Sequence, residues 1–121
     1  MKPVRVELDG KERNLKFDFN AMSDFESVMG FSLFQAMQNM GIGTIRALYW
    51  AGLKHKEKGL TLDRVGKMLT KEFQNGQELD DLIKPIIEAL EESGIIPKGS
   101  MDDFDEEDEE DDEAEGEAKN G

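Results

Sequence analysis

A chain of 121 residues with a formal net charge of −13 at pH 7 and no cysteine has the length of one domain and cannot form a disulfide scaffold or a thiolate metal site. The charge is unevenly placed: the 24 residues from Lys98 hold 13 acidic and 2 basic side chains, whereas residues 1–97 are close to neutral and can close one modest core. No run approaches the roughly 18 apolar residues of a transmembrane helix, and MKPVRVELDG lacks the apolar centre of a secretory signal, so a cytoplasmic protein with no membrane partner is expected.

Val4, Val6 and Leu8 alternate with Arg5 and Glu7, and after Asp9-Gly10 the alternation resumes at Leu15, Phe17 and Phe19. Period-2 patterning around a turn signal predicts a β-hairpin, with strands near Pro3 to Leu8 and Asn14 to Phe19. A two-residue loop, Asp9-Gly10, sets Val4 opposite Leu15. A four-residue loop, Asp9 to Glu12, sets Val6 opposite Leu15 and Val4 opposite Phe17, matching more apolar pairs. A lone hairpin is marginal in water, so its apolar face should lie on helices.

Asn20 then caps a helix whose stripe is Ala21, Met22, Phe25, Val28 and Met29, stopped by Gly30. Ser32 caps a second, Leu33 to Met40, with Leu33, Phe34, Met37 and Met40 apolar. The next stretch, IGTIRALYWAGL from Ile42 to Leu53, is apolar nearly all round and is expected at the centre of the fold, as a helix from Thr44 to Lys54 with Thr44 as its cap. Thr61 caps Leu62 to Phe73. The last helix, Glu78 to Ser93, sets Leu79, Leu82, Ile83, Ile86, Ile87 and Leu90 against an acidic face, with Pro85 kinking it or marking its true start. Ile95 and Ile96 should fold back after Gly94. The predicted class is α+β, mainly helical: an N-terminal hairpin packed on a small bundle of about five helices over 1–97, followed by a disordered acidic tail over 98–121.

Little here points to catalysis. His55, the single histidine, stands among lysines as a solvated loop residue with no orienting partner. Gly41 and Gly43 make only G-x-G before a helix, short of a phosphate-binding fingerprint. No enzyme activity, cofactor or metal site is expected. Of the seven methionines, Met22, Met29, Met37, Met40 and Met68 fit helical stripes as core filling more simply than as an adaptable binding surface, and Trp50 is expected to be buried. Leu79, Leu82, Ile83, Ile86, Ile87 and Leu90 either seal the core or form a groove for a partner; periodicity is the same for both. In the tail, Met101 and Phe104 stand three apart among acids and can anchor a segment that folds on contact, although a solubilising brush needs no partner. The charge disfavours nucleic acid as a ligand, and no loop resembles a calcium site.

Taken in order, LDGKERNLKFDFNAMSDFESVMGFSL, LYWAGLKHK, TLDRVGKML and ELDDLIKPIIEALEESG resemble the tail assembly chaperones of long-tailed bacteriophages, including the gene-transfer-agent-like branch. The likeness covers about residues 4–94, and its most characteristic pieces are the hairpin leading into FDFNAMSDFE, the group Tyr49 to Leu53, and the late helix ending in Ser93-Gly94. It implies a non-catalytic assembly factor of the host bacterial cytoplasm, absent from the mature virion. Such a factor binds and solubilises the tape measure protein and helps tail tube protein polymerise, the latter through a longer form made by ribosomal frameshifting. The chain would then be the short form. Ala118-Lys119-Asn120 can be encoded with the slippery run A AAA AAC, and self-association is left open. The alternatives are a structural tail or head-tail completion protein of the virion and an acidic-tailed regulatory adaptor.

Overall fold

The structure, a computed structural model, describes residues 1–99. Strand β1 (Val4–Leu8) pairs antiparallel with β2 (Lys11–Leu15) in the register Val4↔Leu15, Val6↔Arg13 and Leu8↔Lys11. The two-residue loop is therefore the one formed, not the four-residue loop that aligns more apolar pairs. Asp9 and Gly10 both take positive φ, 55° and 71°, the mirror-image turn whose twist matches that of paired strands. The register puts Arg13 on the inward face opposite Val6. Its Nε donates to the Leu8 carbonyl at 3.1 Å and its Nη1 pairs with Glu57, so the buried charge is satisfied.

Five helices follow: α1 (Phe19–Met29), α2 (Leu33–Gln38), α3 (Ile42–Leu53), α4 (Leu62–Gln74) and α5 (Leu79–Ser93). The second strand ends four residues earlier than expected, because Asp18 rather than Asn20 caps α1, its Oδ1 accepting from the Ala21 amide at 2.8 Å. Phe19 thus begins a helix instead of ending a strand. Ser32 and Thr61 cap α2 and α4 as the sequence predicts, accepting from the Gln35 and Arg64 amides. Thr44 does not cap α3; the helix starts two residues earlier, after Gly41, and buries Thr44 in its first turn. Pro85 neither starts nor divides α5, which runs unbroken from Leu79 to Ser93, with the Asp81 carboxylate accepting from the Glu78 amide at its start.

One core unites all the elements. Helix α3 lies at its centre, touching β2, α1, α4 and α5. Tyr49 donates to the Leu82 carbonyl of α5 at 2.6 Å, and the Gly52 carbonyl accepts from the Lys16 amide just past β2. Phe17 and Leu15 close over Gly52. Ile96 folds back into the core, and Lys98 and Gly99 stay attached to α5 through Glu92 and Glu91. His55 is no solvated loop residue: it is half-buried, and its Nε2–H donates to the Asn14 carbonyl at 3.1 Å. Trp50 is half-buried, with Nε1 donating to the Leu60 carbonyl and the Lys54 ammonium 5.2 Å from its ring centre.

Candidate functional site

The six apolar residues of α5 resolve to one of the two roles open to them. Leu82, Ile83, Ile86, Ile87 and Leu90 are buried among α3, β1 and β2, and Leu79 is half-buried at the edge of the same cluster. They seal the core, so as a partner groove this set is corrected: a helix face already covered by its own domain has no surface left to offer. Met101 and Phe104 lie outside the described residues.

Exposed apolar surface is found elsewhere, on side chains that break the helical stripe. Phe19 is 88 % exposed and Phe34 66 % exposed. With Met1 they rim a hollow of about 340 Å³ whose floor is Phe17, Met22, Leu33 and Ile95. The local reasons are the two caps. Asp18 at the cap of α1 makes Phe19 the first helical residue, pointing away from the stripe of Ala21, Met22 and Phe25. Ser32 at the cap of α2 puts Leu33 inward, and its neighbour Phe34, 100° further round, outward. Val28, expected in the buried stripe of α1, is also exposed.

The two carboxylates at this hollow are already engaged. The Asp18 carboxylate caps α1, and the Glu26 carboxylate accepts from the Leu33 amide at 2.8 Å, tying α1 to α2. A visitor would meet aromatic edges and methyls beside carboxylates that are already hydrogen-bonded. A second hollow, about 540 Å³, lies between the start of α3 and α4, with Ile42 and Phe73 exposed beside Arg46, Asp63 and Lys67. It is the more polar of the two.

Among the described residues, two titratable groups carry shifted affinities for protons. Burial pushes the Tyr49 phenol well above its ordinary range, and the nearby Glu72 carboxylate adds to that. The hydrogen bond from Lys71 holds the Asp9 carboxyl below its usual value. Both serve packing between elements. Among the described residues no group of three or more His, Cys, Asp or Glu could hold a metal, and no helix is long and apolar enough to cross a membrane.

Sequence reasoning missed Phe19 and Phe34 as surface residues because it assigned one to a strand and both to apolar faces. Part of the signal was present, since Asp18 is as good a cap as Asn20; which of the adjacent Leu33 and Phe34 is buried was not legible, because neighbours can share an apolar face, as Leu82 and Ile83 do in α5. Fold and surface together define a mainly helical α+β domain with an aromatic-rimmed hollow. No family model, curated protein or solved structure matches the chain.

Proposed function

We propose that the chain is a non-catalytic tail assembly chaperone of a long-tailed bacteriophage, which binds and solubilises the tape measure protein and assists tail tube polymerisation. The observation that carries this reading is the exposed pair Phe19 and Phe34 over an apolar hollow whose neighbouring carboxylates are internally satisfied. An amphipathic helix presents apolar side chains three or four residues apart, and such anchors seat in a small aromatic hollow of this kind. A tape measure protein is a long series of such helices, so many copies could line it, each shielding a short length. The acidic segment after Lys98 suits this arrangement, since like charge keeps crowded copies apart. In this reading the protein acts in the host cytoplasm, leaves before the virion is complete, and reaches tail tube protein through a longer frameshifted form.

The test is co-expression with the long helical protein that this reading expects to be encoded beside it, comparing the natural chain with Phe19→Ser/Phe34→Ser. Both positions are exposed, so the double variant should keep its fold, with a change of about 0.5 kcal/mol or less per site. The natural chain should hold the partner in the soluble fraction and the variant should not. Partner solubility that ignores the double variant sinks the hollow as the site. Finding the chain in purified virions would replace the chaperone with a structural tail or head-tail completion protein.

A further inference from the structure

Four cations converge on one hollow at the turn end of the hairpin. Lys11 begins β2, Lys56 and Lys58 follow α3, and Arg64 stands in the first turn of α4; with Glu57, Gly59 and Leu60 they line a space of about 360 Å³. The acid among them, Glu57, is committed to the buried Arg13. None of these four makes an ion pair among the described residues, although Arg64 also borders the neighbouring hollow of Asp9 and Asp63. Single unpaired cations such as Lys2, Lys16, Arg46 and Lys84 occur elsewhere, and what sets these four apart is that they line one hollow. Four like charges around one hollow repel each other, and the amides at the start of α4 add positive potential beside them. An anionic occupant relieves both.

The chain carries a candidate of the right sign. Asp102 to Glu117 holds 13 acidic side chains and no basic one. The attachment point is Gly99, held at Glu91 near the end of α5. Ser93 and Ile95 share a hollow there with Phe17, at the open end of the hairpin, and Lys11 is at the other end. The hairpin separates them by roughly 15–20 Å at about 3.3 Å per residue. Ten extended residues beyond Gly99 span about 33 Å, so the middle of the acidic run can reach the cations of its own body. A tethered ligand acts at an effective concentration in the millimolar range, which favours the same chain over a second copy.

We infer that the hollow of Lys11, Lys56, Lys58 and Arg64 is an acidic-peptide site, and that its occupant is the chain's own Asp102 to Glu117 segment. Each contact is an exposed ion pair and weak alone, so occupancy is salt-sensitive. The consequence is a basic face closed to polyanions in the intact protein. This inference stands independently of the chaperone reading.

Carbodiimide cross-linking of the full chain tests it, with unlabelled and ¹⁵N-labelled protein mixed and the linked peptides mapped by mass spectrometry. At about 0.01 M ionic strength, where the screening length is about 30 Å, Lys11, Lys56 and Lys58 should link to the acidic segment within one isotopic chain. The exposed Lys84 should link about tenfold less, and at about 1 M salt, where the length is about 3 Å, the difference should vanish. Arg64→Gln leaves every reactive lysine in place and should lower the yield at Lys56 and Lys58 about threefold, roughly what one exposed ion pair supplies. Equal yields at Lys84, dominance of isotopically mixed links, or retention of the full chain on single-stranded DNA at about 0.15 M salt would each overturn the inference.

Discussion

At Gly52 the central helix meets the end of the hairpin so closely that a Cβ would stand 2.8 Å from Leu15 Cδ2 and 2.9 Å from Phe17 Cε1. Both neighbours are fully buried and have nowhere to move. In an open helix Gly→Ala stabilises by about 1 kcal/mol; here overpacking, about 1–3 kcal/mol, opposes that gain and exceeds it. Gly52→Ala should therefore lower the thermal midpoint by several degrees, whereas a rise would show that the hairpin can yield. Tyr49, the chain's one tyrosine, makes a second test. Its folded-state pKa is raised by burial, so the stability tied to the neutral phenol is complete below about pH 10 and is lost as pH climbs beyond it. In an alkaline titration, tyrosinate absorbance should appear together with the change in Trp50 fluorescence that marks unfolding. Ionisation near pH 10 with the fold intact would contradict the burial. Neither Gly52 nor Tyr49 could be assigned these roles from sequence, since the contacts that define them come from residues over 30 positions away.

Among the elements, α5 shows most plainly what periodicity conveys. The spacing of Leu82, Ile83, Ile86, Ile87 and Leu90 predicts a one-sided apolar helix, and the helix forms; which molecule covers that side is outside the pattern. The hairpin and α3 do so here, leaving Ile86 with no exposure. Ile86→Asp should accordingly unfold the domain, because a buried unpaired carboxylate costs several kcal/mol, comparable with the stability of a body this size. Far-ultraviolet circular dichroism of the purified variant reads the result, and a native spectrum with a native midpoint would return α5 to the list of partner surfaces. The hairpin makes the complementary point. Counting apolar matches favours the longer loop, but the Asp-Gly turn has its own backbone preference, and an inward Arg13 is tolerable once Leu8 and Glu57 satisfy it. Turn geometry decided the register, and a partner 44 residues away made that register affordable. At α1 the competition was between two caps two residues apart, and the choice of Asp18 moved Phe19 from strand to helix surface.

For the whole molecule, residues 1–99 form one core with α3 inside it, and its surface carries, among other hollows, an aromatic one near the N-terminal ends of α1 and α2 and a cationic one at the hairpin turn. The two lie toward opposite ends of the hairpin, so an apolar partner and an acidic segment could be held at once. The amino-acid order by itself determined the element types, the order of hairpin and five helices, the central place of the Ile42 to Leu53 stretch, and the concentration of acid beyond Lys98, because these follow from local periodicity, capping and composition. Only the tertiary structure decided the hairpin register, the burial of the α5 face, the exposure of Phe19 and Phe34, and the gathering of Lys11, Lys56, Lys58 and Arg64. Each of these depends on which distant surface arrives to cover a face or satisfy a charge, and that is settled by packing across the chain rather than along it.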